Sequence, residues 1–303
     1  MSTALILGAG VSGTSAARLL DSREVGVRFF DDRASVVERL VSGGMRADGA
    51  PWSDAMLDGV DLVVVSPGWA PGTEPIVAAQ ERGLAIVSEI ELAIPDLDCP
   101  LVAVTGTNGK TTVTELIASM GEAAGMVVVA AGNIGRPLTD VVGERVDAIA
   151  LEMSSFQLYW TESLCPTVAV VLNVAADHLD WHMGLDAYRD AKAKIFALQD
   201  GSDVLVFDVD DDGAVSLVKE AASRRIPISG RHLPVDGYGV DENALVLPGG
   251  SVPIENLNVS DATFLADLVA AAAAAHEIGV SHEAIAKAAA EFVPSAHRRT
   301  LVG

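Results

Sequence analysis

Short aliphatic runs recur along the chain with helix-like stretches between them: ALIL at 4–7, VRFF at 27–30, LVVVS at 62–66, LVAVTG at 101–106, AIALEM at 148–153, VAVVLN at 168–173 and VLVF at 204–207. The runs are continuously apolar rather than alternating, as strands covered on both faces are, and they predict parallel α/β sheets. The stretch IELAIPDLDCP at 90–100 breaks this rhythm with two prolines before a strand begins afresh, which places a domain boundary near residues 93–100. From about residue 208 the pattern loosens into the acidic turn DVDDDG, a Pro/Gly-rich stretch to Pro253, and an alanine-rich helix from about Asp261 to Gly279. The acidic turn lacks the ligand spacing and closing glutamate of an EF-hand loop and reads as a solvated turn. Leu185, Tyr188, Ala191, Ile195 and Leu198 form a helical apolar stripe with Lys192 and Lys194 both at its edges, so periodicity leaves the roles of the two lysines open.

Composition narrows the partners. Half of the 303 residues are apolar, enough for two cores, and 42 acidic against 20 basic residues give a formal net charge of −22. Such a field repels polyanions, so neither nucleic acid nor an anionic membrane surface is expected as a partner, and an anionic ligand must be held by local donors. Cys99 and Cys165 have no metal-ligand spacing and are too few for a disulfide scaffold; both are expected to be ordinary buried thiols in a reducing cytoplasm. The opening MSTALILGAG has no leader pattern, and the apolar candidate Ala262–Ala275 carries Asp267 and is too short for a bilayer, so a cytoplasmic location is expected; a monomer is a separate expectation.

Two glycine loops carry the candidate chemistry. GAGVSG, Gly8 to Gly13, follows a strand and opens a helix, the context in which G-x-G-x-x-G amides face a diphosphate. Asp31 and Asp32 end the next strand, where an acidic residue reaches a ribose or a base. A dinucleotide oxidoreductase and a merely tight turn both remain open on this motif alone. SPGWAPG, Ser66 to Gly72, follows a further strand end, where open α/β sheets place ligands.

The second loop, TGTNGKT, departs from the full phosphate-loop pattern because Val104 stands where its first glycine belongs. Its physics is still that of a P-loop: Gly106 and Gly109 let amides approach phosphate oxygens, Lys110 brings charge to the β/γ oxygens, and Thr111 can ligate Mg²⁺. Nucleotide binding alone allows a switch, a motor, a kinase or a ligase. Glu152 after one strand, and Asp177, His178 and Asp180 after the next, converge on the same sheet edge, where a metal beside a triphosphate sits.

The stretches TGTNGKTT at 105–112, GNIGRP at 132–137, LEMSSFQL at 151–158, LNVAADHLDWH at 172–182 and YRDAKAKIF at 188–196 together resemble the Mur ligase family, ATP-dependent enzymes that add amino acids to the cytoplasmic peptidoglycan precursor. SSFQL, with GAGVSG and SPGWAPG, most resembles its D-glutamate-adding branch. The resemblance implies a Rossmann-like UDP-binding domain over 1–95, a P-loop NTPase-type α/β central domain binding ATP over 96–296, and the start of a hinge at 297–303 into a C-terminal domain that lies beyond this sequence. Residues 1–303 alone are therefore expected to be inactive.

Val11, Ser12 and Gly13 would then approach the diphosphate of a UDP-sugar rather than NAD, with Asp31 and Asp32 at the uracil end and Ser66, Pro67 and Gly68 nearby. Gly106, Thr107, Asn108, Gly109, Lys110, Thr111, Thr112 and Arg298 would contact ATP. Thr111 and Glu152 would hold one Mg²⁺, and His178 with Lys192 a second. Lys192 would bear a carbamate, which turns a cation into a carboxylate ligand. Asn133, Ser154, Gln157 and His178 would line the acceptor arm, with Lys110, Glu152, His178 and Lys192 as the catalytic set. The implied substrates are UDP-N-acetylmuramoyl-L-alanine, D-glutamate and ATP. One departure bears on the adenine: many relatives carry His-Asn-x-x-Asn at the start of the alanine-rich helix, where this chain reads SDATFLADLVAAAA, with Asp267 in the place of the second asparagine. Another amino-acid ligase of the same fold, and a non-catalytic nucleotide-dependent binding protein, are the alternatives.

Overall fold

A computed structural model describes residues 2–257 and 261–293. The first part builds a five-stranded sheet from β1 (Thr3–Leu7), β2 (Gly26–Phe30), β3 (Ala47–Asp48), β4 (Leu62–Val65) and β5 (Ala85–Ser88), in the order β3-β2-β1-β4-β5 with every pair parallel. Ala4 and Ile6 face the helices α1 (Val11–Ser22) and α2 (Ala34–Ser42), while Leu5 and Leu7 face α3 (Glu74–Glu81). Both strand faces are buried, which is why ALIL shows no alternation. The strand order reverses between β1 and β4, and there the carboxyl ends part into a crevice.

After α4 (Glu89–Ala93) a second parallel sheet begins, built from β6 (Leu101–Thr105), β7 (Val128–Gly132), β8 (Ala148–Glu152), β9 (Val168–Val171), β10 (Val204–Asp208) and β11 (Arg224–Ile228). Its order is β11-β10-β9-β6-β8-β7, so β6 lies between β9 and β8. The loops after these three neighbours meet at one edge. Val102 and Val104 pack under α5 (Lys110–Ala123), α10 (Ala262–Glu277) and α11 (His282–Glu291). Leu101 and Ala103 pack on the opposite face, whose core takes in α6 (Ser155–Tyr159), α8 (Leu185–Ala193) and α9 (Asp212–Leu217). The short α7 (Leu179–His182) precedes α8. Among the described residues no helix is long and apolar enough to cross a membrane.

The aliphatic runs all became strands, but others were hidden from the pattern. β7 is a half-exposed edge strand, VVAAG, and β11, RRIPI, lies at the opposite edge, where Pro227 is tolerated. The Pro/Gly-rich stretch forms a small antiparallel sheet of β12 (Gly239–Asp241), β13 (Ala244–Leu247) and β14 (Gly250–Pro253), its second turn made by Gly249 at φ +82°. The acidic turn is not simply solvated. Asp211 caps α9 and accepts from the Val174 amide, Asp210 accepts from Ser229 Oγ, and burial pushes the Asp208 carboxyl up to about 6. The Val174 amide and the Ser229 hydroxyl, partners distant in sequence and invisible in composition, hold Asp211 and Asp210 in place. Cys165 is likewise exposed and Cys99 only half-buried, correcting the expectation of two buried thiols.

A polar joint connects the two sheets' helices. Glu89, 4% exposed, accepts from the amide and hydroxyl of Thr139, both at 2.6 Å. The Thr139 hydroxyl meets that of Ser15 at 2.6 Å, Ser15 donates to Asp140 at 2.5 Å, and Arg18 pairs with Asp140 at 2.7 Å. Glu89 Oε2 has no partner, and burial raises the carboxyl above its ordinary 4.5 despite the Thr139 hydrogen bonds. A raised folded-state value means that the folded protein holds a proton the unfolded chain has lost. The contribution is therefore fully present below pH 4.5 and is lost as pH rises through the folded-state value. Glu89→Gln should remove that falling limb. The check is the unfolding midpoint of both proteins from pH 4 to pH 8; curves that stay parallel would refute it.

Candidate active site

At the first loop, Gly8 adopts φ +89°, and a Cβ there would sit 3.0 Å from Ser66 and Trp69. A Cβ on Gly13 would lie 2.0 Å from the Gly8 carbonyl oxygen, so this glycine lets α1 pack hard against the turn. Gly10 precedes the helix, and Val11, 64% exposed, carries its first turn into solvent beside Ser12. A cleft of about 410 Å³ opens beside the loop, lined by Gly8, Asp31, Asp32, Ser66 and Gly68, with Arg33, Trp69 and Thr73. Pro67, half-buried, lies between Ser66 and Gly68, and Ser66 Oγ donates to the Gly8 carbonyl.

Asp31 is more deeply committed than its place at a strand end indicates. It is 1% exposed, takes the Ala9 amide at 2.9 Å, and is gripped by Arg33 through Nε and Nη2 at 2.8 Å each. The Arg33 hydrogen bond outweighs burial and holds the carboxyl at about 2. Asp31 thus braces the loop, Asp32 stays exposed, and Arg33 borders the cleft. Its signal was the arginine two residues after the strand-end aspartate.

At the second loop, Gly109 begins α5 at φ +85°, and a Cβ there would lie 2.3 Å from Asp267 Oδ1. A carboxylate of α10 thus backs directly onto the phosphate loop, beside a cleft of about 230 Å³ that Asp208, Asp211 and Arg231 also line. Lys110 folds back and donates to the carbonyls of Gly106 at 2.9 Å and Thr107 at 3.1 Å. Asn173, at the end of β9, accepts from the Asn108 amide at 2.8 Å and donates back to its carbonyl at 3.1 Å. The Thr107 hydroxyl accepts from the Ala175 amide and lies 3.1 Å from the Tyr188 hydroxyl. Asn173 and Tyr188 are therefore supports that the motif reading did not single out. Thr112 follows Thr111 in the first turn of α5, half-buried.

Glu152, 1% exposed at the end of β8, accepts from Thr111 Oγ1 at 2.5 Å and from Asn133 Nδ2 at 2.9 Å. No cluster of three or more His, Cys, Asp or Glu groups that could hold a metal exists among the described residues. One carboxylate and one hydroxyl beside a phosphate loop nevertheless suit Mg²⁺, which takes few protein ligands and fills its octahedron with phosphate oxygens and water.

Lys192 corrects the stripe reading. α8 stops at Ala193, Leu185 and Leu198 are exposed, and Lys192 itself is 1% exposed with its Nζ 3.3 Å from Thr105 Oγ1 and over the Tyr188 ring. Burial, reinforced by the charge of Lys110, pushes its amine down to about 7. Lys194 is the surface lysine, bound to Glu162 at 2.6 Å. His178 sits half-exposed at φ 50°, its Nε2 3.4 Å from Asp177 and its ring against Phe156. The neighbouring His182 is buried on Ser155 Oγ at 2.9 Å, and burial drives it down to about 4. Ser154 and Gln157 form the capping box of α6, and the Gln157 carbonyl oxygen is spent on the Ser154 amide and hydroxyl. Arg298 lies outside the described residues.

Residues 104–231 match the Mur ligase middle domain and residues 2–88 the MurD-like N-terminal domain of Mur ligases. The UDP-N-acetylmuramoylalanine--D-glutamate ligase of Corynebacterium efficiens is 36% identical over 320 residues, covering 98% of this chain and 65% of the relative. That of Desulfitobacterium hafniense (strain Y51) is also 36% identical, covering 99% of this chain and 68% of the relative. The chain thus spans about two thirds of the length of these curated relatives. Among solved structures, the UDP-N-acetylmuramate:L-alanyl-gamma-D-glutamyl-meso-diaminopimelate ligase from Neisseria meningitides superposes with a TM-score of 0.68 at 17% identity, covering 97% of this chain and 99% of that one. The UDP-N-acetylmuramate-alanine ligase MurC from Thermotoga maritima gives 0.58 at 18% identity, covering 96% and 68%. At these identities the likeness is one of fold.

Proposed function

Because this chain belongs to the Mur ligase family, we propose that the whole protein is an ADP-forming ligase that joins D-glutamate to UDP-N-acetylmuramoyl-L-alanine. The observation that carries this reading is the buried Thr111–Glu152 pair, held from the surface by Asn133, directly behind a phosphate loop, in a chain with a second glycine loop at the switch point of its own parallel sheet. The terminal alanine carboxylate attacks the γ-phosphorus of ATP, the bond to the bridging oxygen breaks, and an acyl phosphate and ADP form. The amine of D-glutamate then adds to the activated carbonyl, loses a proton, and expels inorganic phosphate to leave the amide.

The chain's residues would serve these steps through charge and placement. Val11, Ser12 and Gly13 would present the first turn of α1 to the diphosphate, and Ser66 and Gly68 border the cleft beside Gly8 and Gly10. Lys110 leaves the two loop carbonyls for the β/γ oxygens, which offsets the repulsion between acceptor carboxylate and triphosphate. Thr111 and Glu152 would hold Mg²⁺, and His178 with Lys192 a second ion, neutralising phosphate charge. A carbamate on Lys192 forms only from the neutral amine, and a value of about 7 makes that species abundant at neutral pH. Asn133, through Glu152, ties the acceptor side to the metal side.

A thermal-shift comparison of UDP-N-acetylmuramoyl-L-alanine, UDP, ATP with Mg²⁺, and NAD tests the reading. At a hundredfold excess over Kd a ligand stabilises by about 2.7 kcal/mol, so binders separate cleanly from non-binders. The first three should raise the midpoint and NAD should not. A shift with NAD and none with UDP compounds would return the first loop to a dinucleotide.

A further inference from the structure

The carboxyl ends of the first sheet hold the cleft assigned above to the UDP-sugar, yet a second and larger recess lies at the other end. We propose that it is a binding site for a small amphipathic organic anion, an apolar body carrying one carboxylate, sulfonate or phosphate. The inference is independent of the ligase reading. The recess, about 660 Å³, lies beside α1 where Ser2, Thr3 and Gly26 start β1 and β2. Ligand pockets typically enclose about 300–1,000 Å³, so the volume admits a bicyclic molecule. Ligands of open α/β sheets gather at the carboxyl ends of strands, and this position is therefore not part of the nucleotide crevice.

Its lining has the two characters such a ligand requires. Ala17 on α1, Val27 and Phe29 on β2, and Met45 in the following loop supply apolar surface, and Met45 is 48% exposed. Arg18, Arg28 and Arg46 line this surface together with one acidic residue, Asp21. Three guanidinium groups around one recess are unexpected in a chain of net charge −22, whose overall field repels anions. They are also only partly committed. Among the described residues Arg46 has no ion pair, Arg28 reaches Asp48 only at 3.4 Å, and Arg18 shares its charge with Asp140 at 2.7 Å. A planar guanidinium matches an anionic head through paired hydrogen bonds, while the aliphatic stems of the arginines extend the apolar wall. Occupancy would therefore compete for Arg18 with the joint to Asp140.

Calorimetric titration with 1-anilinonaphthalene-8-sulfonate, an apolar aromatic body with one anionic group, tests the site. One saturable site is expected, not displaced by UDP. The double substitution Arg28→Glu/Arg46→Glu, at one half-buried and one exposed position, should weaken it by about tenfold or more, the scale of losing charge-assisted hydrogen bonds. Ala17→Phe, which fills the recess, should abolish it while the circular dichroism stays native. The uncharged parent N-phenyl-1-naphthylamine should bind about tenfold more weakly. Unsaturable binding, displacement by UDP, or unchanged affinity in the folded double variant overturns the proposal.

Discussion

Lys192→Met is expected to make the unmodified protein more stable and the whole enzyme nearly inert. The amine is buried and held at about 7 against an ordinary 10.5. At about 1.4 kcal/mol per unit, that depression represents a cost on the order of 4 kcal/mol at pH 7, which an apolar side chain of similar length does not carry. The sign follows from proton counting. Between pH 7 and pH 10.5 the unfolded chain binds the proton that the folded protein has released, so wild-type stability climbs across that window and is lost as pH falls through about 7. The variant should lack the climb, and denaturant unfolding of the two proteins at pH 7 and pH 9.5 measures the difference. Ligation by the whole protein should meanwhile fall by about 10²–10³-fold, the scale of losing one preorganised electrostatic group. Labelling with ¹³C bicarbonate should add one carbamate carbonyl resonance to the wild type, absent from the variant. Equal spectra would remove the carbamate, and equal stability at both pH values would remove the buried amine.

Glu152→Gln separates chemistry from folding in the opposite sense. The carboxylate is 1% exposed and takes neutral donors from Thr111 and Asn133 on its two oxygens, so an amide of the same shape keeps its oxygen for Asn133 and turns its NH2 to the Thr111 hydroxyl, which can accept. Stability should change by about 1 kcal/mol or less, since relief of a buried charge and loss of its charge-assisted hydrogen bonds oppose each other. The gain that Mg²⁺ gives to ATP binding should vanish, and ligation should fall by about 10²–10³-fold. UDP binding at the other loop should stay unchanged. Calorimetry of ATP with and without Mg²⁺ decides: an undiminished Mg²⁺ effect places the metal elsewhere.

The central strands were legible because burial on both faces writes itself as an unbroken aliphatic run. The edges were not, since β7 and β11 are half-solvated and their composition is mixed. In the site, Lys110, Thr111 and Glu152 could be read from strand, loop and helix in order. Lys192 and Lys194 could not be told apart, because they are only two positions apart at a helix end and the packing of Tyr188 decides which one turns inward. Asp31 was visible as a strand-end acid, but its commitment to Arg33 and to the Ala9 amide is a matter of geometry. The same holds for Asp267, whose contact with Gly109 joins residues 158 positions apart in sequence.

The joint from Ser15 and Arg18 to Thr139 and Asp140 sets a length as well as a bond. Ser15 stands on the helix that begins after Gly10 at the rim of one cleft, and Thr139 follows the loop whose Asn133 donates to Glu152 beside the other loop. On the proposed function, the gap between an acceptor at Gly10 to Gly13 and a phosphate at Gly106 to Thr111 would thus be gauged, like the jaws of a caliper, by the hydroxyls of this joint. A methyl group added at Ser15 or removed at Thr139 would then be expected to reset that reach without altering any residue of either glycine loop.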